Sequence, residues 1–535
     1  MKIKRLSIVA IAAMMLAGLN SCVGDLNVTP IDPNVTLPED VLNTEDAYAA
    51  LLAKCYAGLT TSGSDGPDGG PDIDGIDGGF GQYMRALFYM NELTTDEALC
   101  VWNNKTVKDL HALSFTTSDI FVTSMYSRLF YQISLCNEFI RRAKASEFKD
   151  SQNIKTMIAE ARALRALSYY HAIDMFGDVP FADETSKVGS EGPDQMSRAE
   201  LFAWLDAECK DLIEGGDLKG AKQNVYGRLD VNFVKMIRAH LNLNASVYLG
   251  KSDVKENYDV VGTLCKEIVA DYPTLHGKYT DLFGADNHLF TDEIIFGIEQ
   301  DGAYTQNYGG SCFLIKASYV GGDTYKVDGV ERNTATDNLG IDDGWGGTLV
   351  TPEFINKFDD SDARKLFWAP STKPEESATI EEIDFLKGWS AHKFTNLNSD
   401  GSVPAIINFP STDVPLFRAA DAYLMLAEAQ LRGATTVTVA DGQAAWNAVR
   451  ARAGLGNADY KLDGIIDERG RELYWECWRR SDLVRFGLLT SSDYLWEWKG
   501  GVQAGQAVDS KYNILPLPVN ELNSNLKLQQ NEPWR

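Results

Sequence analysis

The stretch AEARALRALSYYHAIDMFGDVPF, residues 159–181, decides the fold class of this chain. Apolar side chains recur in it and just before it at every third or fourth position: Met157, Ala161, Leu164, Leu167 and Tyr170. This period predicts an α-helix with one apolar face. Small alanines alternate with large aromatic residues along the helix, and that alternation lets antiparallel helices pack closely, as in tetratricopeptide hairpins.

Two further segments repeat the pattern. Residues 233–248 carry apolar residues at helical spacing and are followed by Gly250, and residues 420–431 are followed in the same way by Gly433. A glycine directly after a helix is typical of a C-cap, because it adopts the left-handed backbone conformation without strain. The repeats are degenerate, so we predict a mainly α protein built on a degenerate tetratricopeptide helical-hairpin scaffold.

Two regions lack helical periodicity. Residues 61–82 have Gly, Asp or Pro at almost every place, which predicts a long loop. Residues 253–410 are rich in Gly, Asp, Asn and aromatic residues, which predicts an irregular, loop-rich insertion. We therefore predict a single domain over residues 38–535, with the helical scaffold at about 38–252 and 411–535. Loops on a rigid scaffold are where binding function tends to lie.

The N-terminus has the pattern of a lipoprotein signal. Lys2, Lys4 and Arg5 precede an apolar stretch, residues 6–19, that is short for a membrane span, and the stretch ends in Asn20-Ser21-Cys22. This arrangement resembles a bacterial lipobox, so we predict a signal peptide at 1–21, lipidation of Cys22 and a tether at 22–37. The alternative is an ordinary secretory signal with a chance cysteine.

Charge, cysteine content and motifs exclude several classes of function. The net charge of -26 argues against nucleic-acid binding and against a polybasic membrane patch. The seven cysteines after Cys22 are scattered without a CxxC pair, which argues against a disulfide framework or a zinc site. GxSxG, HExxH, Walker and dinucleotide motifs are absent, so we predict no catalysis and no cofactor, although a pair of glycosidase carboxylates leaves no such motif.

Three long motifs, in order, carry a resemblance to a known family. They are residues 159–181, residues 466–487 (IDERGRELYWECWRRSDLVRFG) and residues 515–534 (LPLPVNELNSNLKLQQNEPW). With them, the chain is identified as a member of the SusD/RagB family of outer-membrane nutrient-binding lipoproteins of Bacteroidetes. Shorter segments such as residues 91–97, 307–311 and 494–501 are similar to its starch-binding members.

The resemblance implies a function and a set of site residues. It implies a SusD-like fold that captures starch or maltooligosaccharide at the cell surface and delivers it to a TonB-dependent, SusC-like channel of the outer membrane. Matching motifs assign an aromatic arc and its polar neighbours: Trp102, Tyr308, Trp345, Arg85 and Asp77. The family's asparagine does not carry over, since Lys105 occupies its register and Asn104 precedes it.

Physical chemistry supports the same residues. A pyranose ring has an apolar face that packs on an indole or phenol ring, and its hydroxyl groups suit the several donors of arginine. Trp345 stands in DDGWGG and Trp102 among polar residues, so neither is easily buried. The charged cluster at 468–485 is interpreted as an ion-pair network that fixes a helix, not as an acid–base site.

Several alternatives stay open at this point. Residues 72–77 have the Asp spacing of a calcium loop but lack the twelfth-position Glu, whereas the resemblance allows a structural calcium near Asp286, Glu293 and Asp413. The ligand of a SusD-like fold could be a different polysaccharide. A surface-anchored helical glycoside hydrolase and a tetratricopeptide adaptor for a protein ligand are the rival classes.

Overall fold

A computed structural model describes residues 41–187, 189, 192–321, 324–327, 330–368 and 388–535. The chain divides into two units, residues 1–49 and residues 50–535. The first is described from residue 41 and contains the beginning of α1; the second contains every other element named below. The described chain is mainly helical with a few short strands, which confirms the predicted fold class.

Seventeen helices and ten strands are present in the described ranges. The helices are α1 Glu45–Thr60, α2 Tyr83–Asn91, α3 Lys105–His111, α4 Ile120–Ala145, α5 Gln152–Met175, α6 Arg198–Glu214, α7 Val231–Leu243, α8 Ala245–Leu249, α9 Lys255–Asp271, α10 Gly310–Lys316, α11 Thr334–Leu339, α12 Pro352–Ile355, α13 Ala419–Leu431, α14 Val439–Arg452, α15 Leu462–Leu473, α16 Arg479–Arg485 and α17 Val519–Ser524. The strands are β1 Leu99–Cys100, β2 Val179–Pro180, β3 Gln195–Met196, β4 Ile294–Ile298, β5 Thr324–Val327, β6 Val330–Asn333, β7 Thr348–Leu349, β8 Phe367–Trp368, β9 Ser390–Ala391 and β10 Val414–Arg418.

The scaffold is a succession of packed helices. Helix α4 packs on α5, α5 on α6, α6 on α7, and the series continues through α9, α13 and α14. The helix predicted from the period of Met157 to Tyr170 is α5, which ends at Met175, and it is buried on nearly every face as expected for a helix inside a large core. Its alanines allow its neighbours to approach closely. The predicted C-cap glycine Gly250 follows α8 with a φ of 61°.

The boundary of the predicted insertion needs a correction. Helix α9, Lys255–Asp271, lies inside the stretch predicted to be loop-rich, so the irregular region begins only after it. Val261, Leu264, Cys265 and Ile268 form its buried stripe at spacings of three, one and three. The average residue composition of 253–410 does not reveal this stripe, because most of the stretch consists of the loops that follow α9.

Short antiparallel strand pairs hold the loops of the insertion in place. Strand β4 pairs with β10, from Val414 opposite Ile298 to Arg418 opposite Ile294, and both strands are largely buried. Strand β1 pairs with β7, with Leu99 opposite Leu349. Because Trp102 follows β1 and Trp345 precedes β7, this pairing brings the two tryptophan loops together.

The charged C-terminal motif is a buried ion-pair network, as predicted. Arg418 is fully buried and pairs with Glu293 at 2.7 Å, Glu472 at 3.0 Å and Glu476 at 2.7 Å. Burial by itself raises the pKa of the Glu472 carboxyl, but Arg452, Arg418 and Arg364 outweigh burial and lower that pKa to about 2. The network joins α15 to β10 and to the loops of the insertion, so it is a structural element.

Candidate functional site

Five of the residues selected from the sequence line one open cleft: Asp77, Arg85, Trp102, Tyr308 and Trp345. The cleft has a volume of about 470 Å³, within the usual range for sites that bind small molecules. Its other walls come from residues 67–69 and 78–79 of the glycine-rich loop. Residues spread over more than 250 positions of sequence therefore meet in one place.

Arg85 is fixed in the cleft by the first turn of α2. Its backbone N–H donates to the side chain of Gln82, which caps the helix, at 3.0 Å. The guanidinium donates from Nε to the Tyr89 hydroxyl at 2.9 Å and from Nη1 to the Tyr308 carbonyl at 2.8 Å. It also lies 4.7 Å from the ring centre of Phe313. Arg85 thus lines the cleft with its guanidinium held in one orientation.

Trp102 is half-buried and its indole is held in one orientation. The ring Nε1 donates to the Gly346 carbonyl at 2.9 Å, and the ring meets Phe313 edge to face at 6.0 Å. Gly347 has a φ of +106°, and a Cβ added there would lie 2.1 Å from Trp102 Nε1. The absence of a side chain at Gly347 is therefore what makes room for the indole.

Tyr308 and Trp345 form the opposite part of the aromatic lining. Their ring centres are 5.9 Å apart and their planes are inclined by 61°. The backbone N–H of Trp345 donates to the Lys316 carbonyl at 2.7 Å, and this hydrogen bond anchors the DDGWGG turn on α10. The Tyr308 hydroxyl donates to Asp68 at 2.9 Å, and this hydrogen bond raises the pKa of the phenol.

The glycine-rich loop is an ordered wall of the cleft. One oxygen of Asp77 accepts the N–H groups of Gly79 and Phe80, at 2.8 and 3.2 Å. Asp72 forms an ion pair with Lys54 at 3.0 Å, which ties the loop to α1. Sequence reasoning missed Asp68, because nothing in a run of repeated Asp and Gly distinguishes the acid that reaches Tyr308.

Asn104 and Lys105 are not among the residues that line the cleft. The Asn104 side chain accepts from the Thr106 N–H at 3.1 Å and so caps α3. Lys105 pairs with Asp109 at 2.6 Å and its side chain is 84% exposed. Because neither side chain lines the cleft, its geometry adds no support to their contact with ligand, which stays a prediction.

The carboxylates considered for calcium have protein partners. Asp286 accepts from the Ser399 hydroxyl at 2.7 Å, Glu293 pairs with Arg418 and Arg452, and Asp413 accepts from Tyr226. Burial raises the pKa of Asp413 to about 7. Among the described residues no group of three or more His, Cys, Asp or Glu side chains could hold a metal ion.

Cys22 and the predicted signal and tether lie outside the described residues. Within the part of the chain that the structure describes, none of the helices has the length and apolar character needed to cross a membrane. The seven other cysteines are buried free thiols.

Comparison with known proteins gives one consistent set of relatives. The pattern of the SusD family matches residues 378–534. The starch-binding protein SusD of Bacteroides thetaiotaomicron is 32% identical, over 100% of this chain and 99% of its own length. The SusD-like protein P25 of Formosa agariphila is 23% identical over 85% of this chain and 88% of its own length.

Solved structures have the same fold. Surface glycan-binding protein A from Bacteroides uniformis superposes with a TM-score of 0.70 at 18% identity, over 92% of this chain and all of that one. The protein of the same name from Bacteroides thetaiotaomicron, in complex with laminarihexaose, gives 0.69 at 19% identity, over 91% and 99%.

Proposed function

Because the chain belongs to the SusD family, we propose that it is a non-catalytic surface lipoprotein that binds starch or maltooligosaccharides in the cleft. We further propose that it delivers them to a SusC-like, TonB-dependent channel of the outer membrane. The full-length relative at 32% identity is named as a starch-binding protein, and the relatives are named as binding proteins and not as enzymes.

The observation that carries this proposal is the composition of the cleft. Three half-buried aromatic rings and one anchored arginine converge on it. Each ring offers an apolar surface to the C–H face of a sugar, and the arginine offers donors to its hydroxyl groups. A neutral glucan also suits a chain of net charge -26, since no charge repulsion opposes its binding.

The shape of the aromatic lining supports a curved glucan. The Tyr308 and Trp345 rings are 5.9 Å apart and inclined by 61°, so they do not form one flat platform. An α-1,4-linked glucan chain is curved and follows such inclined rings, whereas a flat, ribbon-like chain would contact one ring and leave the other.

A different glycan is the second candidate, and the polar lining favours considering it. Asn104 and Lys105 have local partners on α3 and do not line the cleft, so the polar contact predicted for them gains no support from its geometry. Asp68 and Asp77 take part in the lining instead. Polar contacts around the hydroxyl groups decide between glucans of similar curvature, because an unmatched buried polar group costs binding free energy.

Affinity electrophoresis tests the binding proposal. The full-length protein, purified in detergent, is run in native gels that contain amylopectin, laminarin, dextran, levan or no polymer. We expect retardation in amylopectin, and we expect Trp345→Ala to abolish it. Trp534→Ala is the matched control, because Trp534 is also half-buried but packs on Phe115 and donates to the Ile514 carbonyl.

The outcomes separate the candidates. Retardation in another polymer alone would replace starch as the ligand, and no retardation in any gel would contradict glycan binding in this cleft. Release of reducing sugar after long incubation with amylopectin would support the rival glycoside hydrolase. Delivery is tested apart from binding, by co-purification of an outer-membrane channel with the wild-type chain and its loss with Cys22→Ser.

A further inference from the structure

Tyr304 is an exposed aromatic residue close to the cleft in the chain but absent from its lining. Its side chain is 89% exposed, in the segment that leads to Tyr308. An exposed phenol on a segment that leads into the cleft is accessible to a ligand that extends beyond the lining, and its ring offers an apolar face to that ligand.

The turn that carries Tyr304 is fixed by its own hydrogen bonds. One oxygen of Asp301 accepts the N–H groups of Ala303 and Tyr304, at 2.7 and 3.1 Å. The Asp301 N–H donates to the Thr305 hydroxyl at 2.6 Å. The Gln306 side chain donates to the Gly302 carbonyl at 2.7 Å. The backbone of the turn that presents Tyr304 to solvent is therefore preorganised, so a ligand that covers the residue would need to order only its side chain.

The turn adjoins the aromatic lining through Phe409. Gly302 packs so tightly on this residue that a Cβ at Gly302 would lie 2.2 Å from the Phe409 carbonyl oxygen. The Phe409 ring is 5.6 Å from the ring of Tyr308. The same loop reaches the tryptophan turn, since the Asp342 N–H donates to the Ile407 carbonyl at 3.2 Å. The loop of Phe409 thus packs on the Tyr304 turn through its backbone and on Tyr308 through its ring, which places the turn beside the aromatic lining.

We propose that Tyr304 is an outer stacking platform that binds a glucose residue of α-glucan chains too long for the cleft. The inference rests on the proposed function and adds a subsite to it. A chain that leaves the cleft past Tyr308 crosses the half-buried Phe409 and meets the exposed phenol next. Tyr304 would therefore contribute to long ligands and not to short ones, which makes it a determinant of chain length.

Isothermal titration of the full-length protein with maltotriose and with maltodecaose tests this subsite. We expect Tyr304→Ala to weaken binding of the decamer about five-fold, the effect of losing one aromatic stack, and to leave the trimer unchanged. Tyr304→Phe keeps the ring and should retain the wild-type affinities. Leu526→Ala is the matched control, because Leu526 is equally exposed, at 89%, and is not part of the cleft.

Each result has a distinct meaning. Wild-type protein that binds neither oligosaccharide would refute the proposed function and this inference with it. Wild-type binding together with an unchanged decamer affinity in Tyr304→Ala would refute the outer platform alone. An equal loss for trimer and decamer would also refute it, because Tyr304 would then act on the cleft itself.

Discussion

Gly347→Ala tests whether the fixed orientation of Trp102 matters for binding. The substitution adds one methyl group outside the cleft lining. That methyl would lie 2.1 Å from Trp102 Nε1, whereas non-bonded heavy atoms need about 3.5 Å. The indole must therefore retreat by more than about 1 Å, and its hydrogen bond to the Gly346 carbonyl must lengthen or break.

The expected effect has two parts. The backbone at a φ of +106° strains any residue with a Cβ, which lowers the free energy of unfolding by about 1–3 kcal/mol. Displacement of the indole removes about 1 kcal/mol of stacking on the sugar, which weakens maltooligosaccharide binding about five-fold. Gly433→Ala is the matched control for the first part, since its φ is +95° and nothing lies within 4 Å of the added Cβ.

Isothermal titration gives the affinities, urea denaturation the stability, and near-ultraviolet circular dichroism the environment of the indole. We expect both variants to lose stability and Gly347→Ala alone to lose affinity and change its aromatic spectrum. Wild-type affinity in Gly347→Ala despite a changed spectrum would refute the role of Trp102. Equal losses of affinity in both variants would assign the effect to backbone strain.

Two further predictions concern buried charge. Arg418→Met should lower the free energy of unfolding by about 3–5 kcal/mol, because it leaves three buried carboxylates without their shared partner. Its control Lys105→Met removes an exposed ion pair and should lower the free energy of unfolding by less than about 1 kcal/mol. Similar losses for the two variants in urea denaturation would contradict the network. Burial raises the pKa of the Asp413 carboxyl from 3.8 to about 7. Protonated Asp413 therefore contributes to stability at low pH, and this contribution is lost as the pH rises from 3.8 through the raised pKa. Wild-type stability should therefore fall relative to Asp413→Asn between pH 4 and pH 7, and parallel pH profiles of the two proteins would contradict the raised pKa.

Local patterns in the sequence determined the helical scaffold. Helix α5 was predictable because a helix repeats every 3.6 residues, so its apolar residues recur at that period. The end of α8 was predictable because the backbone conformation after a helix favours glycine. The charged motif of α15 and α16 was readable as a network for a related reason. Glu468 and Glu472 are spaced for one face of α15, and too many charges occur together for each to be solvated separately. The spacing continues to Glu476 in the sequence, but α15 ends at Leu473 and α16 begins only at Arg479.

The aromatic residues of the cleft were selected from the sequence together with Arg85 and Asp77, but only the tertiary structure added Asp68 to the lining. Asp68, missed in a run of alternating Asp and Gly, meets Tyr308 across 240 positions of sequence. Asn104 and Lys105, adjacent to Trp102, are instead held by Thr106 and Asp109 on their own helix. Helical periodicity is a property of neighbouring residues, whereas the lining of a cleft depends on loop conformations set by long-range strand pairs such as β1 with β7. For that reason the sequence by itself determined the scaffold, the family and the aromatic residues of the site, and the folded chain decided which of the remaining polar side chains line it.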